Sequence, residues 1–157
     1  MSIEAVRRFF AERGMEERIM EFAVSSATVD LAALALGVAP ARIAKTLALK
    51  DKGGDCLLVV AAGDAKLDNA KFKAAFGMKA AMLPADEALS LVGHAVGGVC
   101  PFAVRAGVPV YLDVSMERFE TVFPACGSAS SAIELTPGEL FEHSGAKSWV
   151  DVCKDWQ

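Results

Sequence analysis

Hydrophobic and polar positions along this chain switch between a helical period and a strand period, and the switches mark the predicted elements. From Glu4 to Arg13, Val6, Phe9 and Phe10 fall on one helical stripe, and Gly14 stops the pattern. Ile19 to Val24 predicts a short strand. Thr28 is placed to cap a helix running through Leu31, Leu34 and Ala35 to Gly37, and Pro40 starts another short turn. Lys45 to Lys50 alternates as a strand, Asp51-Lys-Gly-Gly-Asp55 has turn chemistry, and Cys56 to Ala62 is the unbroken apolar run of a central strand. Those two strands should form a hairpin.

Asp68 can cap a helix from Asn69 to Phe76, with Leu67 and Phe72 as a hydrophobic staple and Gly77 as the stop. Met78 to Leu83 predicts a strand, Ala85 to Val92 a helix, and Gly93 to Phe102 a glycine-rich loop. A strand over Val108 to Val114 precedes a helical turn near Met116 to Phe119. Thr121 to Cys126 and Ala132 to Leu135 read as strands joined through Gly127-Ser-Ala-Ser-Ser131. Thr136-Pro137-Gly138-Glu139 has the form of a capping box with proline at the first helical position, opening a helix to Ser144 that Gly145 closes. Hairpins interspersed with helices predict a mixed α/β sheet rather than a doubly wound one. No repeat or linker divides the chain, so residues 1–157 are expected to form one domain.

Composition narrows the class. With 54% hydrophobic and 23% charged residues in a chain of 157, a globular domain with a real core is expected. Every apolar run is interrupted by Asp, Lys or Arg, and the N-terminus lacks the order of a secretory signal, so a cytoplasmic protein without a membrane partner is expected. Cys56, Cys100, Cys126 and Cys153 lie far apart with no C-x-x-C pair, and only His94 and His143 could join them. Four buried thiols and no metal are the expectation.

The formal net charge of −4 argues against a chain that binds nucleic acid over its whole surface. It is unevenly spread, however. Between Arg42 and Lys79 eight basic residues face four acids, which makes that segment +4 and leaves −8 for the rest. A local basic face on an acidic protein can hold a phosphate backbone at one place; solvated lysines on a helix and strand ends are the plainer reading.

Two stretches could carry chemistry. Glycines at 97 and 98 allow close approach of a ligand to the main chain, and Pro101 stiffens the loop, so Gly97-Gly-Val-Cys-Pro101 can offer backbone N–H groups to a carbonyl oxygen. Lys45 opens a strand and is followed by apolar residues, which suits an ammonium that reaches a cleft and meets a phosphate as a point charge. Its alternative is an ordinary surface lysine. Cys100 with His94 invites a thiol-hydrolase reading, which requires the two to lie within hydrogen-bonding reach.

Ala41-Arg-Ile-Ala-Lys-Thr-Leu47, Gly63-Asp-Ala-Lys-Leu-Asp68, Gly97-Gly-Val-Cys-Pro-Phe102 and Ile133-Glu-Leu-Thr-Pro-Gly-Glu-Leu140 together resemble the YbaK/prolyl-tRNA-synthetase-associated editing-domain family, in order and over nearly the whole chain. The resemblance implies a mixed, largely antiparallel curved sheet surrounded by helices. It implies a metal-independent, cofactor-free hydrolase acting in trans on the ester of a mischarged tRNA. The charged tRNA would be tRNA(Pro) or one bearing Ala, Ser, Thr or Cys, and a synthetase is the further partner implied. Lys45 would meet the terminal phosphate or ribose, and the backbone of Gly97, Gly98, Val99, Cys100 and Pro101 would hold the aminoacyl carbonyl. Thr46, Phe102, Ser128, Ser130, Ser131 and Ala132 would contact the amino acid, and Lys50, Lys66 and Lys71 the tRNA. Ala132 departs from the cysteinyl-tRNA(Pro) deacylase branch, where an acid is expected, and Ser128-Ala-Ser-Ser131 departs from the alanine-editing branch. A tRNA- or synthetase-binding module without catalysis and a Cys100-dependent hydrolase are the rival functions. Oligomeric state is left open.

Overall fold

The computed structural model describes residues 2–23, 28–94 and 98–156. Helix α1 (Ser2–Ala11) buries Val6 and Phe10, one turn apart, and Gly14 ends the segment at φ 69°. A 3-10 turn over Glu16–Arg18 leads to strand β1 (Ile19–Glu21); the expected continuation to Val24 falls outside the described residues. Helix α2 (Val29–Leu36) begins where the Thr28 hydroxyl accepts from the Leu31 amide at 3.2 Å and closes at Gly37.

Strand β2 (Ile43–Lys50) pairs with β3 (Cys56–Ala62) in the expected antiparallel hairpin, from Ala44 opposite Ala62 to Lys50 opposite Cys56. The Asp51 carboxylate ties the connecting turn by accepting from the amides of Gly53 and Asp55. Strand β4 (Lys66–Leu67) precedes helix α3 (Asn69–Phe76), capped by Asp68, and helix α4 (Ala85–Val92) follows. Between these helices Met78 to Leu83 is no regular strand. Met82 makes one antiparallel bridge to Leu49, while Lys50 donates to the Ala81 carbonyl and Leu83 to that of Ala48.

Strand β5 (Val110–Asp113) runs into a 3-10 turn over Val114–Arg118, then β6 (Phe123–Pro124), β7 (Ser131–Ile133), helix α5 (Pro137–Ser144), β8 (Ser148–Val150) and β9 (Cys153–Lys154). The Thr136 capping box forms as read: the hydroxyl accepts from the Glu139 amide, and the Glu139 carboxylate accepts from the Thr136 amide.

The fold is mixed α/β. Its central sheet has the order β6-β2-β3-β5-β8, in which β2 and β3 are antiparallel and the other neighbours parallel. Two antiparallel ribbons, β1-β7 and β4-β9, flank it, so the longest ladder is antiparallel. Strand β3 is buried along its entire length, as its unbroken apolar run requires. Phe10 packs edge-on against Phe102 at 4.8 Å between ring centres, anchoring α1 to the segment after the glycine loop. Among the described residues no helix is long and apolar enough to cross a membrane.

Candidate functional site

A cavity of about 260 Å³ opens beside β2. Helix α2 walls it with Thr28, Val29 and Ala32, α4 with Ala85 and Ala88, and β2 with Ile43 to Thr46 and Ala48. Met82, Leu83, Val99, Phe123, Ala125, Ser131 and Ala132 complete it. Ala44, Thr46 and Ala48 recur every second residue on β2, so strand alternation presents short side chains along one face. Alanines on α2, α4 and β7 do the same from the other walls, and the unfilled volume is the result. Thr28, Lys45, Thr46 and Ser131 are the polar residues among the described lining.

Lys45 is half-buried, and its ammonium donates to the carbonyls of Gly63, at 3.5 Å, and Ala65. An ammonium carries three N–H donors, so two are committed to this turn and one is left for a ligand. Gly63 explains how the turn comes so near. A Cβ built there would lie 2.0 Å from the Pro40 oxygen and 2.7 Å from Val29 Cγ1, space that only glycine leaves. Because Val29 lines the cavity, the turn holding Lys45 is pressed against the cavity wall. Burial lowers the Lys45 pKa, while the charge of Asp64 works in the opposite direction.

The glycine loop meets the same cavity through Val99. Gly97 lies outside the described residues. Gly98 is buried against the chain at Gly127, where an added Cβ would stand 2.7 Å from the carbonyl oxygen. The Ser128 hydroxyl donates to that of Ser131 at 2.8 Å, so Ser128 reaches the lining through a neighbour. Ser130 is engaged through its carbonyl, which accepts from the Phe22 amide.

Several expected site residues lie outside the described cavity lining. Cys100, Pro101 and Phe102 are buried behind the loop, and Phe102 belongs to the aromatic cluster with Phe9 and Phe10. Apolar rings gain more from that cluster than from a half-open cleft. The side chain of Lys71 pairs with Asp151 at 3.0 Å and donates to the Cys153 carbonyl, committed to the β4-β9 ribbon. Lys50 and Lys66 are exposed at the end of β2 and on β4.

Cys100 and His94 do come together, with Sγ 3.6 Å from Nε2. Their chemistry is wrong for a thiol nucleophile. Burial pushes the Cys100 thiol up to about 12, and Nε2 lies 2.6 Å from the Phe102 carbonyl, an acceptor that requires the proton on that nitrogen. The nitrogen facing the thiol therefore has no lone pair with which to take its proton. Both are buried groups fastening the base of the loop.

The model of the aminoacyl-tRNA editing domain matches residues 24–142, which include both β2 and the glycine loop. The chain belongs to the aminoacyl-tRNA editing domain family. Among its relatives, the "Uncharacterized protein YwhH" of Bacillus subtilis (strain 168) is 54% identical over 157 residues, all of both chains. The "Putative Cys-tRNA(Pro)/Cys-tRNA(Cys) deacylase EbsC" of Enterococcus faecalis (strain ATCC 700802 / V583) is 28% identical over 111 residues, 70% of this chain and 68% of EbsC. A solved structure described as a "putative trans-editing enzyme for prolyl tRNA synthetase" superposes with TM-score 0.86 at 28% identity, covering 98% of this chain and 97% of the other.

In this editing domain, sequence reasoning missed the walls. Val29, Ala32, Met82, Ala88 and Phe123 carry no local signal, being ordinary apolar positions of their own segments. Asp64 lies inside the Gly63-Asp-Ala-Lys-Leu-Asp68 motif, but its partner Arg118, 54 residues away, has nothing near it to mark it.

Proposed function

We propose that this editing domain is a trans-acting deacylase that hydrolyses the ester between a tRNA and a wrongly attached small, neutral amino acid, drawn from Ala, Ser, Thr and Cys, with tRNA(Pro) as a candidate carrier. The observation that carries the reading is that Lys45 and Val99 of the glycine loop line one small cavity of about 260 Å³. A space of that size, walled by alanines and valines, suits a short side chain. No carboxylate stands in the described lining to neutralise a cationic one.

In this mechanism the free N–H of Lys45 holds a phosphate or ribose oxygen of the terminal nucleotide. Amides of the loop at positions 97 to 99 receive the ester carbonyl and stabilise the oxyanion that forms as water adds. An aminoacyl ester is already activated, so orienting the water supplies much of the rate. The described lining holds no His, Asp or Glu, which suits a water whose proton is relayed through the free ribose hydroxyl to the departing ester oxygen. The strands formed by residues 148–154 pair with β4 and β5, which supports the entire chain acting as one editing unit.

The test is a panel of mischarged tRNAs, wild type against Lys45→Ala. Release of one small amino acid, slowed by a factor of roughly a hundred in Lys45→Ala, is expected. Equal rates would remove Lys45 from the mechanism. Binding of tRNA without any turnover would make the chain a binding module instead.

A further inference from the structure

Lys45 owes its place to carbonyls of the turn between β3 and β4, and that turn is itself held from a distance. Arg118 grips Asp64 with both ends of its fork, Nη1 to Oδ2 at 3.0 Å and Nη2 to Oδ1 at 2.6 Å. A planar, two-bond pairing fixes orientation as well as distance. Arg118 is fixed in turn: its Nε donates to the Ser115 carbonyl at 2.7 Å, and the guanidinium lies over the rings of Phe119 and Trp156. A second tie runs alongside, from the Ala62 amide to the Ser115 hydroxyl at 3.1 Å. The turn from Ala62 to Ala65 is thus pinned at Ala62 and at Asp64 by the 3-10 segment after β5, and its Gly63 and Ala65 carbonyls hold the ammonium.

We infer that Asp64 and Arg118 are positioning residues for Lys45, the pair locking the turn whose carbonyls hold the ammonium of this lining residue in place. The inference rests on the reading of Lys45 as the group that meets the tRNA. The carboxylate has a second effect. Of the charged and titratable groups near Lys45, Lys66 disfavours the ammonium, and the Cys153 thiol on β9, pushed by burial to about 12, stays neutral at physiological pH. Asp64 is left as the anion that offsets the desolvation of Lys45.

Two measurements without tRNA test the pair. The first is the NMR titration of Lys45, its side chain carbon-13 methylated and its signal assigned with Lys45→Arg. The second is hydrogen exchange of the Ala65 amide, which is bonded to the Ala62 carbonyl at 3.0 Å across the turn. Lys45 is expected to titrate at lower pH in Asp64→Asn than in the wild type. The Ala65 amide is expected to exchange roughly tenfold faster in Arg118→Gln, or in Arg118→Lys should the glutamine variant not fold. Either quantity unchanged from the wild type overturns the inference. With a tRNA that the wild type cleaves, Asp64→Asn should lower kcat/KM roughly ten- to hundredfold, because a displaced ammonium holds the terminal nucleotide less well. Wild-type kcat/KM in that variant also overturns it. Inactivity of the wild type on every tRNA would sink the proposed function, while the two tRNA-free measurements would still judge the lock.

Discussion

Gly98 stands so close to Gly127 that a side chain on the first would strike the carbonyl oxygen of the second, with an ideal Cβ 2.7 Å away. The two loops that flank the cavity, one leading to Val99 and the other to Ser131, are thereby packed backbone to backbone. Gly98→Ala is expected to push them apart. Overpacking of this kind costs about 1–3 kcal/mol, read as a lower urea midpoint. Deacylation should fall with it, since Val99 and Ser131 would no longer face the same space. An unchanged midpoint would mean the contact is looser than it stands.

The cavity itself invites filling. Ala132 lies on β7 and lines it while almost fully buried. Ala132→Val should narrow the space and raise KM for the larger amino acids of the panel more than for alanine, by a factor of roughly ten or more. A uniform effect on all substrates would place the side-chain pocket elsewhere.

Cys100 is expected to behave as core. Native protein at pH 8 should leave this thiol unlabelled by iodoacetamide, and the denatured chain should react at once. Cys100→Ala should retain deacylation and lose about 1 kcal/mol of stability through the void it leaves. Loss of activity in a folded Cys100→Ala protein would revive the thiol mechanism.

The first turn of α5 carries a pH dependence. Arg18 bonds the Glu139 carboxylate and lowers its pKa from the ordinary 4.5 to about 2, helped by the Thr136 amide. A carboxyl held lower in the folded than in the unfolded chain stabilises the fold above the unfolded value. That contribution is lost as pH falls from about 4.5 toward 2. Glu139→Gln should therefore be less stable than wild type at pH 7 and should lose less stability on acidification through that window, as followed by urea melts. Thr136→Ala, which removes the cap from the same helix, should cost about 1 kcal/mol at pH 7 with deacylation intact.

The sequence made several features plain because their causes are local. Thr28, Asp68 and Thr136 each cap the helix they were expected to cap, since a side-chain oxygen two or three residues ahead of an orphan amide needs no help from the rest of the fold. The β2–β3 hairpin was legible from an alternating strand, an Asp-Gly-rich turn and an apolar run. Strands β4, β8 and β9 were not, because two or three residues are too few to show a period and form only when a distant partner offers its edge. Met78 to Leu83 was over-read for the same reason: its apolar residues suit a strand, but it forms a single bridge at Met82, with bonds at Ala81 and Leu83 beside it, and no ladder.

The candidate site divides along the same line. The chain by itself marked Lys45 as a strand lysine in apolar company, and it marked the loop at Gly98 as one needing glycine; both follow from near neighbours. It did not determine that α2, α4 and β7 would leave a cavity between them, or that Cys100 and Phe102 would face inward while Val99 faced out. Nor did it pair Arg118 with Asp64. Those outcomes depend on which surfaces meet after the sheet has assembled, and a cavity is a property of walls brought together from remote segments.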